Sequence, residues 1–323
     1  MALPSHLLQE LPGLEAALDG SVMRGHLQAA LFGAGSRWTL DRAEPDRPQF
    51  VAGEGCTLQY ECRLKDSADG ELYDPIVVGS LFPDRARCAA YMRQKLAPLV
   101  ERVAKRSDLA MFASPAAVIE PLHMLVHLWP IDGELPNLLE ATDPRHMAGV
   151  LGRALAGRLA VQACQVQLVS YRRRSRCVLR YTVTGRASGS TPAPRRVLYG
   201  KLAPRGTEQL HGPTLERLRQ QLEARRDGER IMIPRALGGR PELGLALFEE
   251  VPGEARVGTA LRARLNAETS DDGSSLEDML ARSIRVAAAL HGSGLKLGRE
   301  RTLEHRLADL GSEIEITRLF SPE

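Results

Sequence analysis

Cysteine is scarce and poorly spaced for metal binding. There are five in 323 residues, Cys56, Cys62, Cys88, Cys164 and Cys177, and they form no CxxC pair. That spacing argues against a zinc framework or a disulfide-stapled miniature fold and leads us to expect reduced, buried thiols. Aromatic residues make up only 4% of the chain, too few for a ladder that stacks unpaired bases. No charge-free run of about 20 apolar residues is present, so no membrane-spanning helix is expected. The start, Met1 to Gly13, has no basic stretch leading into a long apolar one, so we expect no secretory leader and a cytoplasmic location. HExxH, GxSxG and GxxxxGK[ST] are all missing, which removes the signatures of zinc peptidases, serine hydrolases and P-loop NTPases. Asp132, Glu134 and Asp143, like the Asp271-Asp272 pair, are only loosely grouped, and their spacing reads as solvated loop rather than magnesium site.

What is present is a globular composition, 43% hydrophobic and 26% charged, long enough for about two domains. Lys plus Arg total 43 against 40 acidic residues, and a net charge of +3 does not by itself call for a polyanionic partner. The basic residues are 38 Arg and only five Lys, which makes Lys201 more informative than any one arginine. The densest basic run is Arg172-Arg173-Arg174 with Arg176. It reads as a solvated strand edge, or as a contact for phosphate or an acidic partner. No base-reading motif accompanies it, so nucleic acid is not the expected partner.

The strongest organisational feature is an internal echo. Gly55-Cys56-Thr57-Leu58-Gln59-Tyr60 resembles Arg176-Cys177-Val178-Leu179-Arg180-Tyr181, with the two cysteines 121 positions apart. The same offset then sets Gly79 on Gly200, Leu81 on Leu202 and Pro83 on Pro204, as expected of a duplicated supersecondary unit. In each copy the alternation predicts a strand (around 58–64 and 178–183), a turn, and a second strand ending at Gly79 or Gly200. A helix follows, over 85–105 or 213–225, then a proline-marked segment at Pro115 or Pro234 and a strand over 123–129 or 243–248. A linking helix is predicted over 147–161. Beyond a polar break at 269–274, another is predicted over 276–291, with Leu280, Ile284, Ala287 and Leu290 on its packing face. A further short helix fits the final residues.

Lys201 ends the apolar strand Val197-Leu198-Tyr199-Gly200. Two readings of the residues stand side by side. One is a solvated surface lysine. The other is an ammonium over a nucleotide phosphate, oriented by a carboxylate of the next helix, Glu216 first and Glu208 as the substitute.

These segments, with Leu247-Phe248-Glu249-Glu250-Val251-Pro252-Gly253 and Ala287-Ala288-Ala289-Leu290-His291, resemble the aminoglycoside phosphotransferase-like branch of the protein-kinase-like superfamily. The resemblance is best over residues 170–310. It implies a small ATP-binding lobe in which Lys201 contacts phosphate, Glu216 orients it, and the backbone of about Phe248, Glu249, Glu250 and Val251 contacts adenine. It further implies ATP and magnesium as cofactors and transfer of a phosphoryl group to a small hydroxyl-bearing substrate.

The family's H-G-D catalytic loop and later metal-binding Asp do not follow His291, whose expected role is that of a buried or capping histidine. The chain is therefore expected to be a fragment, to depend on a complementary catalytic segment or protein partner, or to be a noncatalytic nucleotide-binding or protein-interaction scaffold. In the first copy Ser80 stands where the second has Lys201. The expected fold class is α+β, a duplicated kinase-like small-lobe sheet with its helix followed by an incomplete helical lobe. The expected division is 1–145 as a degenerate module, 146–255 as the ATP-binding lobe and 256–323 as a partial catalytic lobe.

Overall fold

The computed structural model describes residues 5–51, 54–103, 106–155, 159–186, 195–204, 212–223, 231–252, 258, 276–295, 302–307, 310–311 and 314. They form an α+β structure with two antiparallel sheets. Two compact units result. The first takes the chain to Thr142, the segment Tyr171–Cys177 and the described residues past 301; the second takes Asp143–Ser170 and the described residues of 178–300.

The first unit opens with α1 (Ser5–Glu10), α2 (Leu14–Leu18) and α3 (Gly20–Leu31), none of which is apparent from the motifs. Helix α3 starts where Asp19 accepts hydrogen bonds from the backbone N–H of Ser21 (2.8 Å) and Val22 (3.2 Å). Such a cap satisfies donors that the first turn leaves unpaired. Its Met23, Leu27 and Leu31, four residues apart, form one buried stripe.

The sheet comprises β1 (Trp38–Val51), β2 (Gly55–Asp66), a two-residue β3 (Leu72–Tyr73), β4 (Ile76–Leu81), β5 (Ala116–Ile119) and β6 (Met124–Leu128). Its order is β1-β2-β4-β6-β5, with β3 paired to β2. Strand β1 escapes sequence reading because Pro45 and Pro48 interrupt it, and only an edge strand tolerates that loss of ladder donors. Between β4 and β5 the expected helix over 85–105 is present in three pieces: α4 (Arg85–Tyr91), a π-helical turn over Met92–Leu96, and α5 (Ala97–Val103). The helix α6 (Leu138–Ala141) closes this part of the chain and buries Leu138 and Leu139.

In the second unit, α7 (Pro144–Ala154) is capped by Asp143 and carries proline at its first position. The predicted helix over 147–161 is thus corrected: Leu155 and Leu159 are buried in register with Leu151 but lie beyond the helix, and Val161 is already in a strand. The second sheet is β7 (Ala160–Arg172), β8 (Arg176–Arg186), β9 (Arg196–Leu202), β10 (Ala236–Arg240) and β11 (Leu245–Glu249), in the order β7-β8-β9-β11-β10, the end of β7 from Tyr171 and the start of β8 to Cys177 being counted with the first unit. Helix α8 (Gly212–Glu223) lies in sequence between β9 and β10, and α9 (Leu276–His291) follows β11. On the packing face expected for α9, Leu280 is 41% and Ile284 68% exposed, while Leu290 is half-buried.

With the two-residue β3 set aside, both sheets share one connectivity, first-second-third-fifth-fourth, with a helix between the third (β4 or β9) and fourth strands. The 121-residue offset holds in detail. Gly79 pairs with Val126 and Gly200 with Leu247. The turn before the fifth strand is a single 3-10 turn ending in a left-handed residue, His123 (φ 47°) or Gly244 (φ 62°). Tyr60 and Tyr181 are both fully buried. A Cβ on Gly79 would sit 3.0 Å from the Tyr60 ring and, on Gly200, 2.6 Å from the Tyr181 ring. At Gly200 the tyrosine ring excludes a side chain, whereas at Gly79 a Cβ would first meet the Met124 methyl, with the tyrosine ring tight behind it.

Candidate functional site

Strand β9 alternates between its two faces, as the period of an extended chain requires. Leu198, Gly200 and Leu202 are buried, whereas Val197 and Tyr199 are half-buried and Lys201 is exposed. Cross-strand pairing puts Lys201 opposite Ala246 and Tyr199 opposite Phe248. Directly opposed residues share a face of the sheet, so one surface carries Tyr199, Phe248 and Lys201. The smallest member, Ala246, is the cross-strand partner of Lys201. Tyr199 and Ala246 belong to this surface as much as the predicted residues do. Their signal was the alternation through 197–201 and 245–249.

The partner expected for Lys201 is engaged elsewhere. Arg219, one turn along α8, donates to both carboxylate oxygens of Glu216, at 3.0 Å (Nε) and 2.5 Å (Nη2), and Gln220 adds a bond at 3.3 Å. These bonds, and the nearby guanidinium charge, hold the Glu216 carboxyl below the usual range. Among the described residues Lys201 makes no ion pair with Glu216. Glu208, the substitute, lies outside the described residues.

Beyond β11 the chain runs through Glu249, Glu250 and Val251. The Glu249 N–H is committed to the Arg235 carbonyl at 2.9 Å. The Glu250 side chain lies 3.6 Å from the Arg180 guanidinium. Neither Glu250 nor Val251 makes a backbone–backbone bond among the described residues, so this exit edge presents backbone donors and acceptors. A cavity of about 310 Å³ adjoins it, lined by Glu249, Glu250, Val251 and Pro252 together with Ile231, Met232, Ile233, Arg219 and Arg235. Lys201, Glu216 and Phe248 do not line it. The structure thus separates the predicted residues into a strand surface, Lys201 with Phe248, and a cavity wall, Glu249 to Val251.

The first copy lacks this surface. Ser80, facing Thr57 and Leu125 across the ladder, is only 8% exposed. His127, at the position of Phe248, is buried, and burial pushes its imidazole below the ordinary value of 6.5 against the opposing charge of Asp132. Asp132 itself corrects the solvated-loop expectation: it is 2% exposed. His291, expected to be buried or capping, is exposed in the last turn of α9.

No group of three or more His, Cys, Asp or Glu side chains that could hold a metal ion occurs among the described residues. All five cysteines are free and buried, with thiols pushed up to about 11 or 12 mainly by burial, so they are poor nucleophiles at neutral pH. Compared with models of known families, with curated proteins and with solved structures, the chain matches none.

Proposed function

We propose that the second unit is a nucleotide-binding lobe of the aminoglycoside phosphotransferase-like kind, holding ATP on the Lys201 surface. The observation that carries this reading is positional. Lys201 stands on the third strand of a five-stranded sheet, beside a small residue and an aromatic pair, and the fifth strand leads out through the backbone edge of Glu250 and Val251. A flat base would bond to that edge rather than to the Glu249 N–H, which is occupied. Lys201 would then supply the charge for phosphate.

Glu216 is held by Arg219 and would have to leave it to orient Lys201. That observation favours binding over turnover: a noncatalytic nucleotide module, with phosphoryl transfer requiring a complementary catalytic segment. Titration calorimetry of the full chain with ATP, with and without magnesium, tests both parts. Binding is expected in either condition, weakened about tenfold or more in Lys201→Ala through loss of a charge-assisted contact. An unchanged affinity in that variant, or no binding at all, would remove the reading. Sustained ATP-dependent phosphorylation of a hydroxyl substrate would overturn the noncatalytic part alone.

A further inference from the structure

Asp132 follows the last strand of the first sheet and is 2% exposed. A carboxylate so placed must have its lone pairs satisfied by the protein. Oδ1 accepts the backbone N–H of Glu134 (2.8 Å) and Leu135 (3.1 Å), a local turn. Oδ2 accepts two donors from far along the chain, the Tyr171 hydroxyl at 2.7 Å and the Arg174 backbone N–H at 3.1 Å. All four belong to the first unit. Burial, and then the charge of Asp132, push the Tyr171 phenol well above its ordinary range, which keeps the hydroxyl a donor.

The surrounding segment is the arginine run of the sequence. Ser175 N–H bonds to the Arg172 carbonyl at 3.1 Å and closes a turn in which Arg174 takes a left-handed conformation, φ 58°. The four arginines do not form one basic face. Arg173 is 5% exposed, and Arg174 lies 3.3 Å from Glu54 and 6.0 Å over the Tyr91 ring; Arg172 and Arg176 are exposed.

We propose that Asp132 is a latch: its Oδ2 clamps the Arg172–Arg176 turn through Tyr171 and the Arg174 N–H, and release of that pair opens the turn. The counterpart of Asp132 at the repeat offset is Gly253, which has no carboxylate, so this device belongs to the first copy alone.

Limited trypsin digestion of the full chain, with cleavage sites followed by mass spectrometry, reads the latch directly. Arginines in a closed turn resist cleavage in proportion to the rarity of opening. Asp132→Asn should raise cutting after Arg172, Arg173, Arg174 and Arg176 by roughly tenfold. An amide can accept from only one side, and its NH₂ would face two donors. Tyr171→Phe deletes one of the two Oδ2 bonds and should raise it about threefold. Arg174→Gly keeps the N–H and suits a positive φ, so cutting after Arg172, Arg173 and Arg176 should stay within about twofold of wild type. Wild-type rates in both Asp132→Asn and Tyr171→Phe would overturn the latch. So would release in Arg174→Gly as large as in Asp132→Asn, which would assign the hold to the Glu54 ion pair. A parallel rise at Arg63 and Arg85 would mean general loosening and would also overturn it. Should Asp132→Asn fail to fold, Tyr171→Phe against Arg174→Gly still decides.

Discussion

The two sheets run through their strands in the same order yet treat the third strand oppositely. In the first, Ser80 is shut in between Thr57 and Leu125; in the second, Lys201 stands open beside Ala246. The glycine one residue earlier is packed against a buried tyrosine in both. The comparison teaches that the two sheets agree where the core dictates the residue, a glycine against a buried tyrosine, and differ at the next position, which is packed at Ser80 and exposed to solvent at Lys201.

Exchanging the two residues breaks the comparison most sharply. Ser80→Lys should lower stability by about 3–5 kcal/mol, because an ammonium would be buried without a partner. Lys201→Ser should stay within about 0.5 kcal/mol, as exposed positions usually do. Urea unfolding monitored by circular dichroism would measure both, and equal effects would show the two strand faces to be alike.

The shared glycines come next. Gly79→Val and Gly200→Val should each cost about 1–3 kcal/mol, since a Cβ at either place lies within van der Waals range of a fully buried tyrosine. Similar losses in the same unfolding assay would mark the contact as common to both copies. A neutral change in one would confine it to the other.

The smallest effect concerns His127, where the second copy has Phe248. Its folded pKa is depressed by burial, while the unfolded imidazole takes up a proton near 6.5. The unfolded state therefore binds more protons below that value, and stability should fall as pH drops from 7 to 5.5. His127→Phe should flatten this part of the profile. The carboxylates held below their usual range by hydrogen bonds, Asp19, Asp74, Asp108 and Glu216, contribute only at lower pH, where protonation removes their share. A thermal-melt series across that window would detect the difference, and an unaltered slope in the variant would assign it to another group.

Much of this architecture was legible because it is periodic. Residues 58–64 and 178–183 alternate, and Cys56 and Cys177 set the register between copies. The outer strands β1 and β7 were not legible. An edge strand has one neighbour, so it admits proline in β1, and β7 carries a largely exposed face that resembles a loop. Strands β5 and β10 were hidden by their shortness and by the glycines of 238–239. At the candidate site the strand position of Lys201 could be read from its apolar run. The engagement of Glu216 by Arg219 also had a local signal, three residues along one helix, but two acceptable partners cannot be ranked from spacing alone.

By itself the sequence determined the repeat, the polarity of each strand face and the kinds of group available, since all of these follow from residue type and period. Tertiary structure decided which groups meet. Asp132 looked like any loop carboxylate until donors 39 and 42 residues away closed on it, and Ser80 and Lys201 shared a register until packing buried one and left the other in water. Burial and long-range hydrogen bonding depend on what lies across the core, and no local pattern encodes that neighbour.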